Sequence, residues 1–187
     1  MLEGRLVRLR PVCKEDYPYL IKWRQNTDQL KLWLTYRHIS DDEVTLDEIL
    51  HDMRQNRHVT FIIERKHDSK PIGMIYSYDL YLVDGHCKVT TFLDSQVKGR
   101  GHGFEAHGLF LLYLFDYYNL NKIYADAYEY NSYSLNLMLK AGYVEEGRFP
   151  EHRYFQGKSW SMIRLALYRN NYDAIKEKLA KITRTKH

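Results

Sequence analysis

A glycine-rich turn in the middle of the chain places the strongest limit on the possible folds. Residues 96–103 read Gln-Val-Lys-Gly-Arg-Gly-His-Gly and separate two apolar runs, Val89 to Leu93 and Phe104 to Tyr118. The first run predicts a strand and the second a buried helix. The first N–H groups of a helix have no intrahelical partner, and the helix dipole is positive at that end. The pattern therefore predicts an anion site at the start of the helix.

The residues of the turn favour a pyrophosphate as the anion. Gly99, Gly101 and Gly103 allow unusual backbone angles and let a phosphate approach the main chain closely. Lys98 and Arg100 add positive charge. No Lys-Ser or Lys-Thr pair completes a P-loop, and the G-x-G-x-G spacing differs from the dinucleotide-binding pattern. A turn without a ligand, placed before a core helix, is the alternative.

The length, charge and cysteine content exclude several other classes. The 187 residues fit one domain, and the net charge of +4 suits an anionic cofactor without indicating nucleic-acid binding. Cys13 and Cys87 form neither a metal-ligand pattern nor a disulfide framework, so no metal is expected. We found no signal peptide and no apolar run of membrane-spanning length. These observations predict a cytoplasmic protein with no membrane partner.

Hydrophobic periodicity predicts the element order β-α-α-β-β-β-α-β-α-β-β. Strands are expected at residues 5–10, 58–65, 72–83, 87–93, 122–129, 143–147 and 158–168, and helices at residues 14–26, 40–56, 104–118 and 131–140. Residues 148–156 are predicted to form a loop. The predicted class is α+β, with a mixed, mostly antiparallel sheet and flanking helices in one domain over residues 1–172. Residues 173–187 are expected to form a polar, basic tail, a surface helix that frays at its end.

Several short motifs occur in the order found in one enzyme family. Gln96, Gly99 and Gly101 fit the Q/R-x-x-G-x-G/A motif of the GNAT acetyltransferases. The chain resembles this family over nearly its whole length. Within it, the chain resembles the branch that acetylates ribosomal-protein N-termini and includes amino-sugar and polyamine acetyltransferases. The other matching segments are Leu6-Val-Arg-Leu-Arg-Pro, Pro71-Ile-Gly, Leu120-Asn-Lys-Ile, Asn131-Ser-Tyr-Ser, Leu139-Lys-Ala-Gly-Tyr-Val-Glu-Glu-Gly and Phe155-Gln-Gly-Lys.

The resemblance implies the GNAT acyl-CoA N-acyltransferase fold, with acetyl-CoA as co-substrate. It implies that the strand at 89–93 diverges from the strand at 123–129 and that the pantetheine arm lies in the gap. Backbone groups near Phe92 and Leu93 would pair with this arm, and Asn131 would contact it. The turn would hold the pyrophosphate. The implied cofactor-binding residues are Phe92, Leu93, Gln96, Val97, Lys98, Gly99, Arg100, Gly101, His102, Gly103 and Asn131.

Acetyl transfer to an amine by direct attack in a ternary complex needs a donor for the leaving thiolate. Many GNAT enzymes use a tyrosine here, and alignment on Gly142 places Met138 at that position. Methionine cannot donate a proton. The nearest substitute is Ser134, which resembles the serine of the N-x-x-S motif in this branch, with Tyr133 as a second candidate. The alternative role for Ser134 is to cap the backbone of the following helix.

The base that would deprotonate the amine is less defined. Glu129, at the end of its predicted strand, is the first candidate, and His152 and Asp79 are others. Glu129 can equally be an exposed charge with no catalytic part. The expected acceptor is a small amine, an amino sugar or sugar nucleotide, or a protein N-terminus. Residues 159–162 lack an aspartate that many relatives carry. A non-catalytic acyl-CoA-binding module is the alternative function, and a monomer and a homodimer both remain open.

Overall fold

The described part of the chain folds around a single sheet of eight strands in the order β1-β2-β3-β4-β5-β6-β8-β7. The computed structural model describes residues 1–26, 50–51, 53–55, 58–97 and 99–183. The strands are β1 (Leu2–Glu3), β2 (Val7–Arg10), β3 (Val59–Arg65), β4 (Lys70–Tyr81), β5 (His86–Leu93), β6 (Lys122–Tyr128), β7 (Val144–Phe155) and β8 (Lys158–Tyr168). All neighbouring pairs are antiparallel except β5 and β6.

Four α-helices with defined bounds flank this sheet: α1 (Tyr17–Gln25), α2 (His102–Tyr117), α3 (Ser132–Lys140) and α4 (Arg169–Thr183). Short 3₁₀ helices span Lys14–Asp16 and Ser95–Val97. Residues 50–51 and 53–55 are helical, and most of the helix predicted at 40–56 lies outside the described residues. No described helix has both the length and the apolar character needed to cross a membrane.

Both faces of the sheet are covered. Phe110, Leu111 and Leu114 of α2 are fully buried against one face, which explains why this helix is apolar nearly all round. Leu20 and Trp23 of α1 pack on the other face in a smaller cluster. Helix α4 begins directly after β8, and the ring of its Tyr172 stacks on Phe115 at 4.3 Å between centroids.

The predicted loop at 148–156 is wrong, because residues 148–155 belong to strand β7. Gln156 and Gly157 both take positive φ angles, 50° and 82°, and form a two-residue turn that returns the chain into β8. Pairing with β8 is irregular between Phe149 and Arg153. This irregularity and the polar composition removed the alternating pattern by which a strand is recognised in a sequence.

Strands β5 and β6 part after a short parallel contact. Pairing is confined to His86–Lys122, Cys87–Ile123 and Lys88–Tyr124. Beyond Lys88, β5 continues to pair with β4 as far as Leu93, whereas β6 pairs with β8. The predicted divergence of these strands is therefore confirmed. It leaves an opening in the sheet that leads to the glycine-rich turn.

Candidate active site

A cavity of about 410 Å³ fills the opening between β5 and β6. Its walls are residues of β5, the start of α2, β6, and α3 with the two residues before it. The cavity reaches Gly103 at the start of α2, so a ligand in the opening can extend to the glycine-rich turn. The described lining residues are Val89, Thr90, Thr91, Phe92, Leu93, Gly103, Ala125, Asp126, Ala127, Tyr130, Asn131, Ser132, Tyr133, Ser134, Leu137 and Met138.

The turn at the end of β5 leads into the first turn of α2, where the backbone N–H groups lack intrahelical acceptors. Gly99 and Gly101 have φ angles of 85° and 83°, a left-handed conformation that favours glycine. The first backbone bond of α2 runs from the N–H of Glu105 to the carbonyl oxygen of Gly101. The N–H groups of residues 102–104 therefore have no intrahelical acceptor. Among the described residues these three groups have no acceptor, and N–H donors at a helix start are groups that can hold a pyrophosphate.

The structure gives the predicted cofactor residues of the turn different environments. Gln96 and Arg100 are exposed and can reach a ligand with their side chains. The side chain of Val97 lies in the core, so only its backbone is available. His102 is buried, its Nδ1 has no hydrogen-bond partner within the described chain, and burial lowers its pKa. Lys98 lies outside the described residues.

A buried glutamate that the sequence did not reveal fixes the start of α2. The Glu105 carboxylate accepts hydrogen bonds from the backbone N–H groups of Arg5, Leu6 and Val7, at 2.7 to 2.8 Å. A Cβ on Gly4 would lie 2.6 Å from this carboxylate, which explains the glycine there. The turn before β2 is thereby tied to the first turn of α2. Nothing in the local sequence pattern identifies Glu105 as an anchor, because its partners are about 100 residues away.

Asn131 and Ser134 meet at the cavity wall. The Oδ1 atom of Asn131 accepts a hydrogen bond from the N–H of Ser134 at 3.3 Å and so caps α3. Asn131, and not Ser134, therefore caps the start of α3. Within the described chain the Ser134 hydroxyl has no partner, and the NH₂ group of Asn131 is also available as a donor. Tyr133 and Met138 line the same cavity.

Glu129 does not line the cavity. It is exposed, and its Oε1 accepts a hydrogen bond from Nη1 of Arg148 at 2.9 Å. Its role as the base stays a prediction. The one carboxylate among the described lining residues is Asp126, which the sequence did not single out. Its side chain is 4% exposed and forms two hydrogen bonds with Arg164, at 2.8 and 2.7 Å.

The remaining candidates lie apart from one another. Asp79 forms an ion pair with Lys88, and His152 is exposed beside Tyr128. Neither of these two candidates lines the cavity.

A series of hydrogen-bonded side chains lies behind β5, with His107 and Tyr143 buried and Thr91 half-buried. Gly142, with φ 89°, ends α3 and turns the chain so that Tyr143 enters the core. Nε2 of His107 lies 3.1 Å from the Tyr143 hydroxyl, and Nδ1 of His107 lies 2.9 Å from Oγ1 of Thr91. Burial lowers the pKa of His107 to about 4 and raises the pKa of Tyr143 far above its usual value. Both side chains are therefore neutral at pH 7.

The buried histidine predicts a loss of stability in mild acid. The pKa of His107 falls from its usual 6.5 to about 4 on folding, so the unfolded chain binds more protons between these values. The stability that neutral His107 contributes to the folded state is complete above about pH 6.5 and is lost as the pH falls toward 4. We expect the free energy of unfolding to fall by about 2 kcal/mol more between pH 7 and pH 5 in the wild type than in His107→Gln.

Urea unfolding of both proteins at the two pH values measures this difference. Carboxylates and other histidines contribute equally to both proteins and cancel in the comparison. An equal pH dependence in wild type and variant would contradict the assigned shift.

The parted strands, the free N–H groups of the turn and the donors on α3 define an acyltransferase that binds an acyl-CoA. The sequence profile of the Acetyltransferase (GNAT) domain family matches residues 6–144. The chain therefore belongs to the GNAT acetyltransferase family, and it is an acetyl-CoA-dependent N-acetyltransferase. The alternative of a non-catalytic module is set aside on this ground.

The sequence identity to individual relatives is low. Spermidine N(1)-acetyltransferase of Escherichia coli (strain K12) is 23% identical over 174 residues, 92% of this chain and 91% of that protein. The enzyme of the same name from Vibrio cholerae is 23% identical over 168 residues, 88% of this chain and 94% of that protein.

Solved structures agree on the fold. The Vibrio cholerae spermidine N-acetyltransferase in complex with CoA and spermine has a TM-score of 0.78, with 21% identity, over 89% of this chain and 98% of that one. A GCN5-related N-acetyltransferase from Brucella melitensis has a TM-score of 0.77, with 17% identity, over 96% of this chain and 83% of that one.

Proposed function

We propose that the protein acetylates a primary amine of a small polyamine-type molecule by direct attack on acetyl-CoA in a ternary complex. The observation that carries the acetyl-transfer step is the opening between β5 and β6, with free N–H groups at one end and Ser134 and Asn131 on its wall. The similarity to spermidine N-acetyltransferases supports the polyamine class. A polyamine acceptor is therefore proposed in preference to the protein N-terminus and the amino sugar that the resemblance also allowed.

Each part of the site has a task in this proposal. The N–H groups of the turn, with Arg100, hold the pyrophosphate. Asn131 donates its NH₂ group to the pantetheine arm. Ser134 donates its hydroxyl to the sulfur as the thiolate leaves, because Met138 at the tyrosine position has no proton to give. Acetyl-CoA supplies the activated acyl group.

The amine must lose a proton before it attacks. For an alkylamine of pKa ~10.4 this costs about 4.6 kcal/mol at pH 7, so a polyamine needs a base more than a protein N-terminus does. Glu129 is proposed for this task, and its Arg148 partner would have to release it. Asp126 is the carboxylate already at the cavity, where it would orient the cationic acceptor before deprotonation.

An acceptor screen tests the proposed function. Acetyl-CoA is supplied with spermidine, with an amino sugar phosphate or with a peptide bearing a free N-terminus, and the release of free CoA is measured. We expect kcat/KM for spermidine to exceed the other two at least about tenfold, which corresponds to 1.4 kcal/mol. A preference for the peptide or the sugar would overturn the polyamine class but leave acetyl transfer intact.

Replacement of the proposed thiolate donor tests the chemistry. Ser134→Ala should lower kcat about 100-fold with little change in acetyl-CoA affinity, since general acid catalysis contributes typically 10² to 10⁴. Tyr133→Phe, read in the same assay, tests the second candidate. A normal rate in Ser134→Ala together with a slow Tyr133→Phe would transfer the role to Tyr133. We also expect Met138→Tyr to restore part of the rate lost in Ser134→Ala.

A further inference from the structure

The hydrogen-bonded side chains of Thr91, His107 and Tyr143 connect the core to the cavity between β5 and β6. The outermost of these side chains, Thr91, lies on β5 and lines the cavity. The middle one, His107, lies on α2 and is buried. The distances, 2.9 Å and 3.1 Å, are those of ordinary hydrogen bonds at both ring nitrogens.

The protons carried by His107 and Tyr143 decide which group donates in each of the two hydrogen bonds. Neutral His107 carries one N–H and one acceptor nitrogen, and Tyr143 carries one O–H. Among the described residues the Tyr143 hydroxyl has no partner except Nε2 of His107. If Nε2 carried the proton, two donors would face each other or the buried O–H of Tyr143 would have no acceptor. A buried donor without an acceptor costs about 1 to 3 kcal/mol.

Only one arrangement satisfies every buried proton. Tyr143 donates its O–H to Nε2, and the Nδ1–H of His107 donates to Oγ1 of Thr91. Because Oγ1 of Thr91 accepts the hydrogen bond from His107, the Thr91 hydroxyl can donate its own proton to another group. No other partner of this hydroxyl occurs in the part of the chain that the structure describes.

We propose that the Thr91 hydroxyl donates a hydrogen bond to the acyl-pantetheine part of acetyl-CoA, and that His107 and Tyr143 are positioning residues that keep it in the donor state. An acyl-pantetheine offers carbonyl oxygens as acceptors. Asn131 and Ser134 supply donors from α3, and Thr91 supplies one from the β5 wall. The proposal rests on acetyl-CoA binding in this cavity and is independent of the identity of the amine.

The affinities for two ligands distinguish the loss of one contact from a general distortion of the site. Thr91→Val keeps the shape of the side chain and removes the hydroxyl, whereas Thr91→Ser keeps the hydroxyl. We expect Thr91→Val to bind acetyl-CoA about tenfold more weakly, which corresponds to 1.4 kcal/mol. Its affinity for adenosine 3′,5′-bisphosphate, which has no pantetheine, should be unchanged. Thr91→Ser should bind acetyl-CoA within about twofold of the wild type, well inside that tenfold step.

Calorimetry measures both affinities well below the unfolding temperature, because Thr91→Val also leaves the Nδ1–H of His107 without its acceptor. Equal weakening of the two ligands would show distortion and overturn the proposal. Unchanged acetyl-CoA affinity in Thr91→Val would overturn it as well, whatever the acceptor screen shows.

The histidine tautomer gives a readout that a purely structural role would not require. ¹⁵N spectra of the wild-type protein should show His107 protonated at Nδ1 and unprotonated at Nε2 near pH 7. The opposite tautomer would direct the Thr91 proton toward His107 and away from the cavity, which would overturn the proposal.

Discussion

Gly99→Ala is expected to weaken acetyl-CoA binding about 100-fold, because several charge-assisted hydrogen bonds to one phosphate are lost together. At Gly99 φ is 85°, and apart from the two neighbouring residues an added Cβ would meet no atom of the described chain within 4 Å. The methyl group would therefore point into free space beside the N–H donors of the turn. A phosphate kept away by one methyl diameter cannot reach those donors.

The chain contains a matched control for this substitution. Gly157, in the turn between β7 and β8, has φ 82° and equally nothing within 4 Å of an added Cβ. Alanine at either position carries the same left-handed strain, roughly 1 to 2 kcal/mol. We therefore expect equal thermal destabilisation of the two variants and a loss of acetyl-CoA affinity in Gly99→Ala alone. Equal affinities in both variants would show that the turn does not hold the pyrophosphate.

Glu105→Ala is expected to destabilise the protein by about 4 kcal/mol, a value at the high end for single substitutions. The substitution removes the buried carboxylate that accepts from the backbone N–H groups of Arg5, Leu6 and Val7, and of these three bonds the one from Val7 is fully buried. Hydrogen bonds to charged groups contribute about 1.5 to 3 kcal/mol each, and solvent that enters the vacated space offsets part of the loss.

Urea denaturation of Glu105→Ala measures this loss. Glu177→Ala on α4 is the control, since Glu177 is exposed and its contact with Lys181 is at the 4.0 Å limit of an ion pair. It should change stability by less than about 0.5 kcal/mol. Glu105→Gln keeps one acceptor oxygen and should fall between the two. A loss below about 1 kcal/mol in Glu105→Ala would contradict the anchoring role, because unsatisfied buried donors cost at least that much.

Local patterns in the sequence were sufficient to predict the glycine-rich turn and most of the strands and helices. Runs of apolar and β-branched residues predicted β3, β5, β6 and β8 to within a few residues. The glycines of the turn predicted its left-handed angles, since side chains disfavour them. The apolar run at 104–118 predicted α2, although the helix begins two residues earlier, at His102. The order of these elements and motifs indicated the family.

Other features depended on contacts between distant parts of the chain, and no local pattern records them. Glu105 looks like an ordinary acidic residue of a first helical turn until the fold brings Arg5, Leu6 and Val7 to its carboxylate. Asp126 and Arg164 are 38 residues apart and meet only because β6 and β8 are neighbours.

The sequence alone therefore determined what short-range sterics and periodicity dictate: the glycine-rich turn, the order of most strands and helices, and the family. The tertiary structure decided which side chains meet at the cavity and which lie outside it. It placed Asp126 at the wall, Glu129 outside it and His107 in contact with Thr91. The physical reason is that hydrogen bonds and burial depend on distances in space, which adjacency in the chain does not fix.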